Sequence, residues 1–154
     1  VTTRNFCYFY IKDRKSWDSI KIKKNDKLIF LSWKNLPNFN KKFHLTENLL
    51  DSILFMEYIL SKGLSKIIVA GTCYEYGLQN GQLSEDYEPK PLNCYAYAKN
   101  CFRQILESLC KLENVELAWI RIFYAYGYGQ RKNSLIPSLI NAKIKFFIYN
   151  FFYI

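Results

Sequence analysis

Between Thr46 and Gly71 the chain reads "TENLLDSILFMEYILSKGLSKIIVAG", and the change of pattern inside this stretch decides the fold. From Thr46 to Lys62 apolar residues recur at helical spacing. Glu47 and Asp51 stand early, Lys62 stands late, and Gly63 is placed as a C-cap, as a helix dipole and a left-handed cap require. The run "KIIVAG", Lys66 to Gly71, then reads as a strand.

Working outward, "DKLIFLSW" (Asp26 to Trp33) is apolar without alternation, the pattern of a parallel strand buried on both faces. On the other side a polar connection from Thr72 to Asn93 leads to a second helix of about Cys94 to Leu112, with Asn93 as its cap. A third strand, "VELAWIRIF", follows. Strand, helix, strand, helix, strand predicts an α/β fold with a parallel sheet. Right-handed crossovers should pack both helices back on the sheet and leave the carboxyl ends of the strands open as a crevice, lined by "GTCYEYG" and "FYAYGYGQ".

Composition narrows the function classes. The chain has 154 residues, half of them hydrophobic, which suits one folded domain. Its net charge of +9 raises a nucleic-acid reading. The lysines at 21, 23, 24, 27, 34, 41 and 42 are dispersed, however, and no nucleic-acid motif accompanies them, so a solvated basic surface is expected. Five cysteines (7, 73, 94, 101 and 110) form no Cys-x-x-Cys pair and have only His44 to join them. They point to reduced thiols in a cytoplasmic compartment, with neither a disulfide framework nor a metal site. No stretch approaches the length of a membrane span, and the front lacks a signal-peptide pattern.

The segment "PLNCYAYAKN" (Pro91 to Asn100) puts Tyr95 four residues before Lys99. Spacing alone is weak, because Tyr8 and Lys12, Tyr58 and Lys62, and Tyr128 and Lys132 share it. Setting distinguishes them. Tyr95 falls in the first turn of its helix, with Lys99 one turn on along the same face. The helix dipole and the ammonium should both favour the phenolate that a tyrosine acid-base catalyst needs. Tyr58 and Lys62 lie at the far end of the other helix, where Tyr58 reads as core and Lys62 as a charge complementing the dipole. Thr72, just after "KIIVAG", offers a hydroxyl to a substrate carbonyl oxygen at the mouth of the same crevice.

With "IIVAGTCYEYG", "LSEDYEPKPLNCYAYAK" and "RIFYAYGYGQ" in place, the sequence from about Asp26 to Leu139 resembles the extended short-chain dehydrogenase/reductase family. That family comprises the nucleotide-sugar epimerases, dehydratases and reductases. The resemblance implies a partial Rossmann-like doubly wound sheet, NAD or NADP as cofactor, a nucleotide-activated sugar as substrate and chemistry at its C4 carbon. It further implies a homodimer in the full-length family and no nucleic-acid or membrane partner. It implies Thr72 as the carbonyl-binding hydroxyl, Tyr95 as the catalytic acid or base, and Lys99 as the residue that tunes it and holds the nicotinamide ribose. Phe123 would lie near the nicotinamide, and Leu31, Ser32 and Trp33 would line the cofactor. Asn48 matches a helix asparagine of the family; read on its own, it is a helix-surface residue. Cys73, Tyr74 and Tyr124 would face the substrate.

Departures from the family pattern shape the expectation. The dehydratases carry an acidic pair after the threonine, where Cys73 and Tyr74 stand here, so dehydration is disfavoured; the wording is most similar to the 4-keto-6-deoxy-sugar-nucleotide reductases. Tyr124 replaces the usual asparagine and Tyr128 the usual proline. No glycine precedes Gly63, so the glycine-rich phosphate loop is absent, as is a substrate domain beyond about Ile140. The chain therefore resembles the middle of a longer protein. Residues 1–25 are unassigned, 26–142 form a partial NAD(P)-binding domain, and 143–154 form a low-complexity tail. The competing reading is a non-catalytic module that keeps a degenerate Rossmann-like core.

Overall fold

The computed structural model describes residues 11–125, 127 and 129–151, with only the backbone of 144–151. The chain forms two compact units, one through Ile122 and the other from Phe123. In the first unit a short helix α1 (Arg14–Trp17) precedes strand β1 (Lys27–Phe30). A π-turn at His44–Asn48 runs into helix α2 (Leu49–Leu60), which leads to strand β2 (Lys66–Thr72). A 3₁₀ turn (Cys73–Tyr76), helix α3 (Cys94–Leu112) and strand β3 (Glu116–Ile122) complete it. The second unit contains helix α4 (Leu135–Phe151), so the segment expected as a low-complexity tail from residue 143 has a helical backbone as far as Phe151.

The sheet is parallel, in the order β1-β2-β3, with Ile29 opposite Ile68 and Ile68 opposite Ala118. The fold class is α/β, as the alternation of elements predicts. Two successive right-handed crossovers running in one direction place α2 and α3 on the same face. There Phe30 stacks on Phe55 of α2 and meets Phe102 of α3 edge-on, and Phe102 meets Trp119 of β3. Met56, Ile59, Ile67, Val69 and Leu106 fill the same core, where burying each large side chain contributes about 1.5 to 3 kcal/mol.

The two-sided burial expected of β1 is not found. Its pattern alternates, and Ile29 and Leu31 are 62% and 69% exposed. Ile120 and Ile122 of β3 are exposed as well. These side chains point away from α2 and α3, and no described element of this unit lies over them, so an apolar strand here has only one covered face.

Helix ends follow the sequence signals. Gly63 takes φ +84 just beyond α2, a conformation that costs glycine nothing. Asn93 Oδ1 accepts the Ala96 N–H at 2.9 Å and starts α3 at Cys94. The seven dispersed lysines are all exposed. Cys73, Cys94, Cys101 and Cys110 are free thiols; Cys7 lies outside the described residues. Among the described residues no helix is long and apolar enough to cross a membrane, and no three His, Cys, Asp or Glu side chains converge as a metal site.

Candidate active site

Strand β2 ends at Thr72, which is extended (φ −148, ψ 146) and caps the 3₁₀ turn that follows. Its Oγ1 accepts the Tyr74 N–H at 3.3 Å, and Glu75 returns a carboxylate to the Thr72 N–H at 2.8 Å. This reciprocal cap stops the strand and fixes the direction of the Thr72 hydroxyl. Across from it, the first turn of α3 carries Tyr95, whose N–H is held by Phe39 O at 2.9 Å. The Thr72 hydroxyl lies near enough to the Tyr95 phenol to act on its acidity. Two residues 23 apart in sequence thus meet because a strand end and a helix start face one another.

Tyr95 is buried in an aromatic cage that the sequence does not announce. Its ring centroid lies 5.4 Å from His44, 5.6 Å from Phe39, 6.0 Å from Trp33 and 6.4 Å from Tyr74. The cage sets the phenol's acidity. Burial pushes the Tyr95 pKa up from its ordinary 10.0, the Thr72 hydroxyl pulls it down, and the negative charge of Glu75 pushes it up again. The shift runs opposite to the direction expected from the helix dipole and Lys99, with burial as its largest cause.

Lys99 is buried one turn along α3, and its ammonium is engaged elsewhere. It donates to Ala70 O at 2.7 Å and sits 4.2 Å above the Trp33 ring, with Trp119 at 5.8 Å. Burial lowers its pKa from 10.5 to about 8, with the charge of Glu75 acting the other way. Near neutral pH it remains a cation inside the site.

The residues at the end of β1 divide. Leu31 and Ser32 are exposed, whereas Trp33 turns in and joins the cage. Ser32, Trp33 and Asn48 line one hollow together with Lys34, Asp51 and Ser52. Asn48 is no surface residue. It is buried, and its Nδ2 donates to Lys34 O at 3.0 Å and approaches His44 Nδ1 at 3.2 Å, tying the loop after β1 to the π-turn. Cys73 is half-exposed and its thiol pKa is raised by burial. The Tyr74 ring lies tilted against Phe39, with centroids 5.0 Å apart. Phe123 and Tyr124 open the second unit, and both are exposed.

Three residues that the sequence reading passed over complete the site. His44 is fully buried; its Nδ1 accepts from Trp33 Nε1 at 3.0 Å and its Nε2–H points at Asn38 O at 3.0 Å, so it is a neutral imidazole, with its pKa lowered by burial. Phe39 walls the cage. Glu75 binds Thr72 N–H, Trp119 Nε1 and Arg121 Nε. A methyl group on Gly71 would overlap the Trp119 indole nitrogen and come within 2.8 Å of Glu75 Oε1, so this glycine is needed for close approach. The Thr72–Glu75 cap has a local signature, Thr-x-x-Glu, whereas the contacts of Glu75 with Trp119 and Arg121 and of His44 with Trp33 join separate segments and have no sequence period.

The other Tyr-Lys pairs have different settings. Lys62 Nζ lies 4.5 Å over the Tyr58 ring just beyond the end of α2, and the Tyr58 hydroxyl is within hydrogen-bond reach of Trp17 O and Asp18 Oδ1 at the surface of the core. Tyr8 and Tyr128 lie outside the described residues.

Comparison with known proteins identifies the family. Residues 29–145 match the model of the NAD dependent epimerase/dehydratase family. The chain is 28% identical over 117 residues to a dTDP-6-deoxy-L-talose 4-dehydrogenase (NAD(+)) of Aggregatibacter actinomycetemcomitans, covering 75% of this chain and 43% of that protein. It is 34% identical over 101 residues to a GDP-6-deoxy-D-talose 4-dehydrogenase of the same organism, covering 65% and 32%. Among solved structures, MoeE5 in complex with UDP-glucuronic acid and NAD is similar, with 28% identity, a TM-score of 0.59 and coverage of 74% of this chain and 40% of that one. The chain thus spans less than half the length of these relatives, and over most of its own length it belongs to the NAD dependent epimerase/dehydratase family.

Proposed function

We propose that the chain carries the catalytic half-site of an NAD(P)-dependent oxidoreductase acting at C4 of a nucleotide-activated sugar, within a partial cofactor-binding domain spanning 26–142. The observation that carries this reading is the convergence of the capped strand end at Thr72 with Tyr95 in its buried aromatic cage, the Lys99 cation lying one helical turn away. The names of the curated relatives, both 4-dehydrogenases of 6-deoxy-talose nucleotides, supply the carbon and the substrate class.

Residues present on the chain suit the nicotinamide end of such a cofactor. The Lys99 ammonium and the Tyr95 hydroxyl can face a ribose, and Leu31 and Ser32 leave an open strand end beside Trp33. No glycine before Gly63 offers a cradle for a pyrophosphate. NAD, when bound, exchanges a hydride with sugar C4. Thr72 holds the C4 oxygen by its hydroxyl, and Tyr95 gives that oxygen a proton when the ketone is reduced or takes it when the alcohol is oxidised. A phenol whose pKa is raised by burial rests protonated at neutral pH, so Tyr95 stands in the resting site as a proton donor. Lys99, one helical turn on, would supply the positive charge that stabilises the phenolate left behind. The assembly proposed for the complete protein is a homodimer.

The test uses protein expressed from its complete coding region, with NAD or NADP and either dTDP-6-deoxy-L-talose or GDP-6-deoxy-D-talose. Tyr95→Phe should lower turnover on the order of 10² to 10⁴-fold while cofactor affinity stays within about twofold. Native turnover in Tyr95→Phe removes the reading. Absence of saturable NAD or NADP binding to the native protein favours a non-catalytic module instead.

A further inference from the structure

Glu75 is the most deeply buried carboxylate of the described residues, at 0% exposure, and the functional reading leaves it without a task. Its two oxygens collect donors from two strands. Thr72 N–H lies at 2.8 Å on the carboxyl end of β2, while Trp119 Nε1 (3.2 and 3.1 Å) and Arg121 Nε (3.2 Å) come from β3. Arg121 is itself fixed on its far side, with its guanidinium 4.5 Å over the Tyr76 ring and Nη1 donating to Glu85 O. The missing Cβ of Gly71 leaves the space in which Trp119 and Glu75 meet. A carboxylate this well bound is not free to remove a proton from substrate, which agrees with the departure from the dehydratase pattern. It is well suited to hold something else still.

Two groups depend on it. One is Thr72, whose backbone N–H it binds and whose hydroxyl, held by the same cap onto the Tyr74 N–H, acts on the Tyr95 phenol. The other is Lys99, whose ammonium lies between Ala70 O, Trp33 and Trp119. Trp119 is shared, since its ring edge donates to Glu75 while its face is turned toward Lys99. We propose that Glu75 is a positioning residue of the active site: its carboxylate locks the Thr72 cap so that the Thr72 hydroxyl stays on Tyr95, and its charge is the counter-charge of the buried Lys99. This rests on the reading of Thr72, Tyr95 and Lys99 as the reacting set, and it adds a fourth member that does not touch substrate.

The titratable groups that face Glu75 are Lys99, Arg121, Tyr95 and Cys73, together with Tyr76 through Arg121. Of these Lys99 is the reporter, because burial and Glu75 act on it in opposite directions. Glu75→Gln keeps the volume but removes the charge and presents an amide N–H to donors. In protein carrying ¹³C-labelled lysine, with Lys99→Arg used for assignment, the native Lys99 should titrate near 8 and the folded Glu75→Gln variant at lower pH. In the sugar-nucleotide assay above, kcat should fall on the order of 10²-fold with the KM for NAD unmoved, and the basic limb of the pH profile should shift with Lys99. Glu75→Asp keeps the charge but pulls the carboxylate away from Thr72 N–H, so the Lys99 titration should be preserved while kcat still drops.

Glu75→Gln with a native Lys99 titration and a native kcat overturns the proposal. Should that variant not fold, native kcat in Glu75→Asp overturns it and reduced kcat with native KM supports it. Native protein that turns over neither sugar defeats the functional reading, whereas the Lys99 titration still decides the role of Glu75 as its counter-charge.

Discussion

Lys99 shows how one side chain can serve a site at the expense of the fold. Its ammonium is taken out of water, and a carbonyl, an indole face and the distant charge of Glu75 compensate only in part, so its pKa drops from 10.5 to about 8. Below about pH 8 it is charged in both the folded and unfolded chain, and the cost of burial is fully present. Between about 8 and 10.5 the folded chain has released a proton that the unfolded chain still binds, so stability rises with pH. Cys110 acts in the opposite sense above 9, because its buried thiol, pushed up to about 11, stays protonated where the unfolded chain's does not. The window in which Lys99 acts alone is therefore about pH 8 to 9. Thermal unfolding midpoints should rise across that interval in the native chain and stay flat in Lys99→Met. At pH 7.5 that variant should be the more stable, by at most about 3 kcal/mol.

At the scale of elements, the start of α3 does double duty. Asn93 satisfies the Ala96 N–H, and the turn it fixes carries Tyr95, whose own N–H is bound by Phe39 O from the loop after β1. Asn93→Ala should cost about 1 kcal/mol in urea unfolding, and it should also loosen Tyr95, seen as a sharper loss of turnover than the stability change alone predicts. Asn93→Asp should restore both, because a carboxylate caps as well as an amide does. This cap and the limits of α3 were legible in the sequence, since the signal is local and one residue wide. The π-turn before α2 was not. It begins at His44, two residues ahead of the periodic run, because the buried contacts of His44 with Trp33 and Asn38 draw that segment into the core. β1 was legible as a strand but misjudged in its surroundings, because an apolar run records what a strand tolerates on its two faces and not which layers cover them.

For the molecule as a whole, the uncovered sheet face of the first unit is the main feature. Ile29, Leu31, Ile120 and Ile122 lie exposed on the side opposite α2 and α3, a contiguous apolar surface of the kind that marks an interaction site or an aggregation hazard. The 154-residue chain should bind a dye such as ANS while folded. Ile29→Lys together with Ile120→Lys should reduce that binding and raise solubility with the far-UV circular dichroism unchanged; a dye signal that survives the double change would place the apolar surface elsewhere.

What the sequence determined by itself is whatever is written in local order: a helical period ending at a glycine, apolar runs that must be strands, an asparagine cap, and the spacing that puts Tyr95 and Lys99 one turn apart. From these the parallel α/β order follows. The tertiary structure alone decided the chemistry of that pair. It set an aromatic cage around Tyr95, turned Lys99 onto Trp33 and Ala70, and sank Glu75 among Thr72, Trp119 and Arg121. The reason is physical. Spacing along a helix fixes which groups are neighbours, but a pKa depends on how much water is excluded and which charges come near from other elements, and both appear only when the elements have packed.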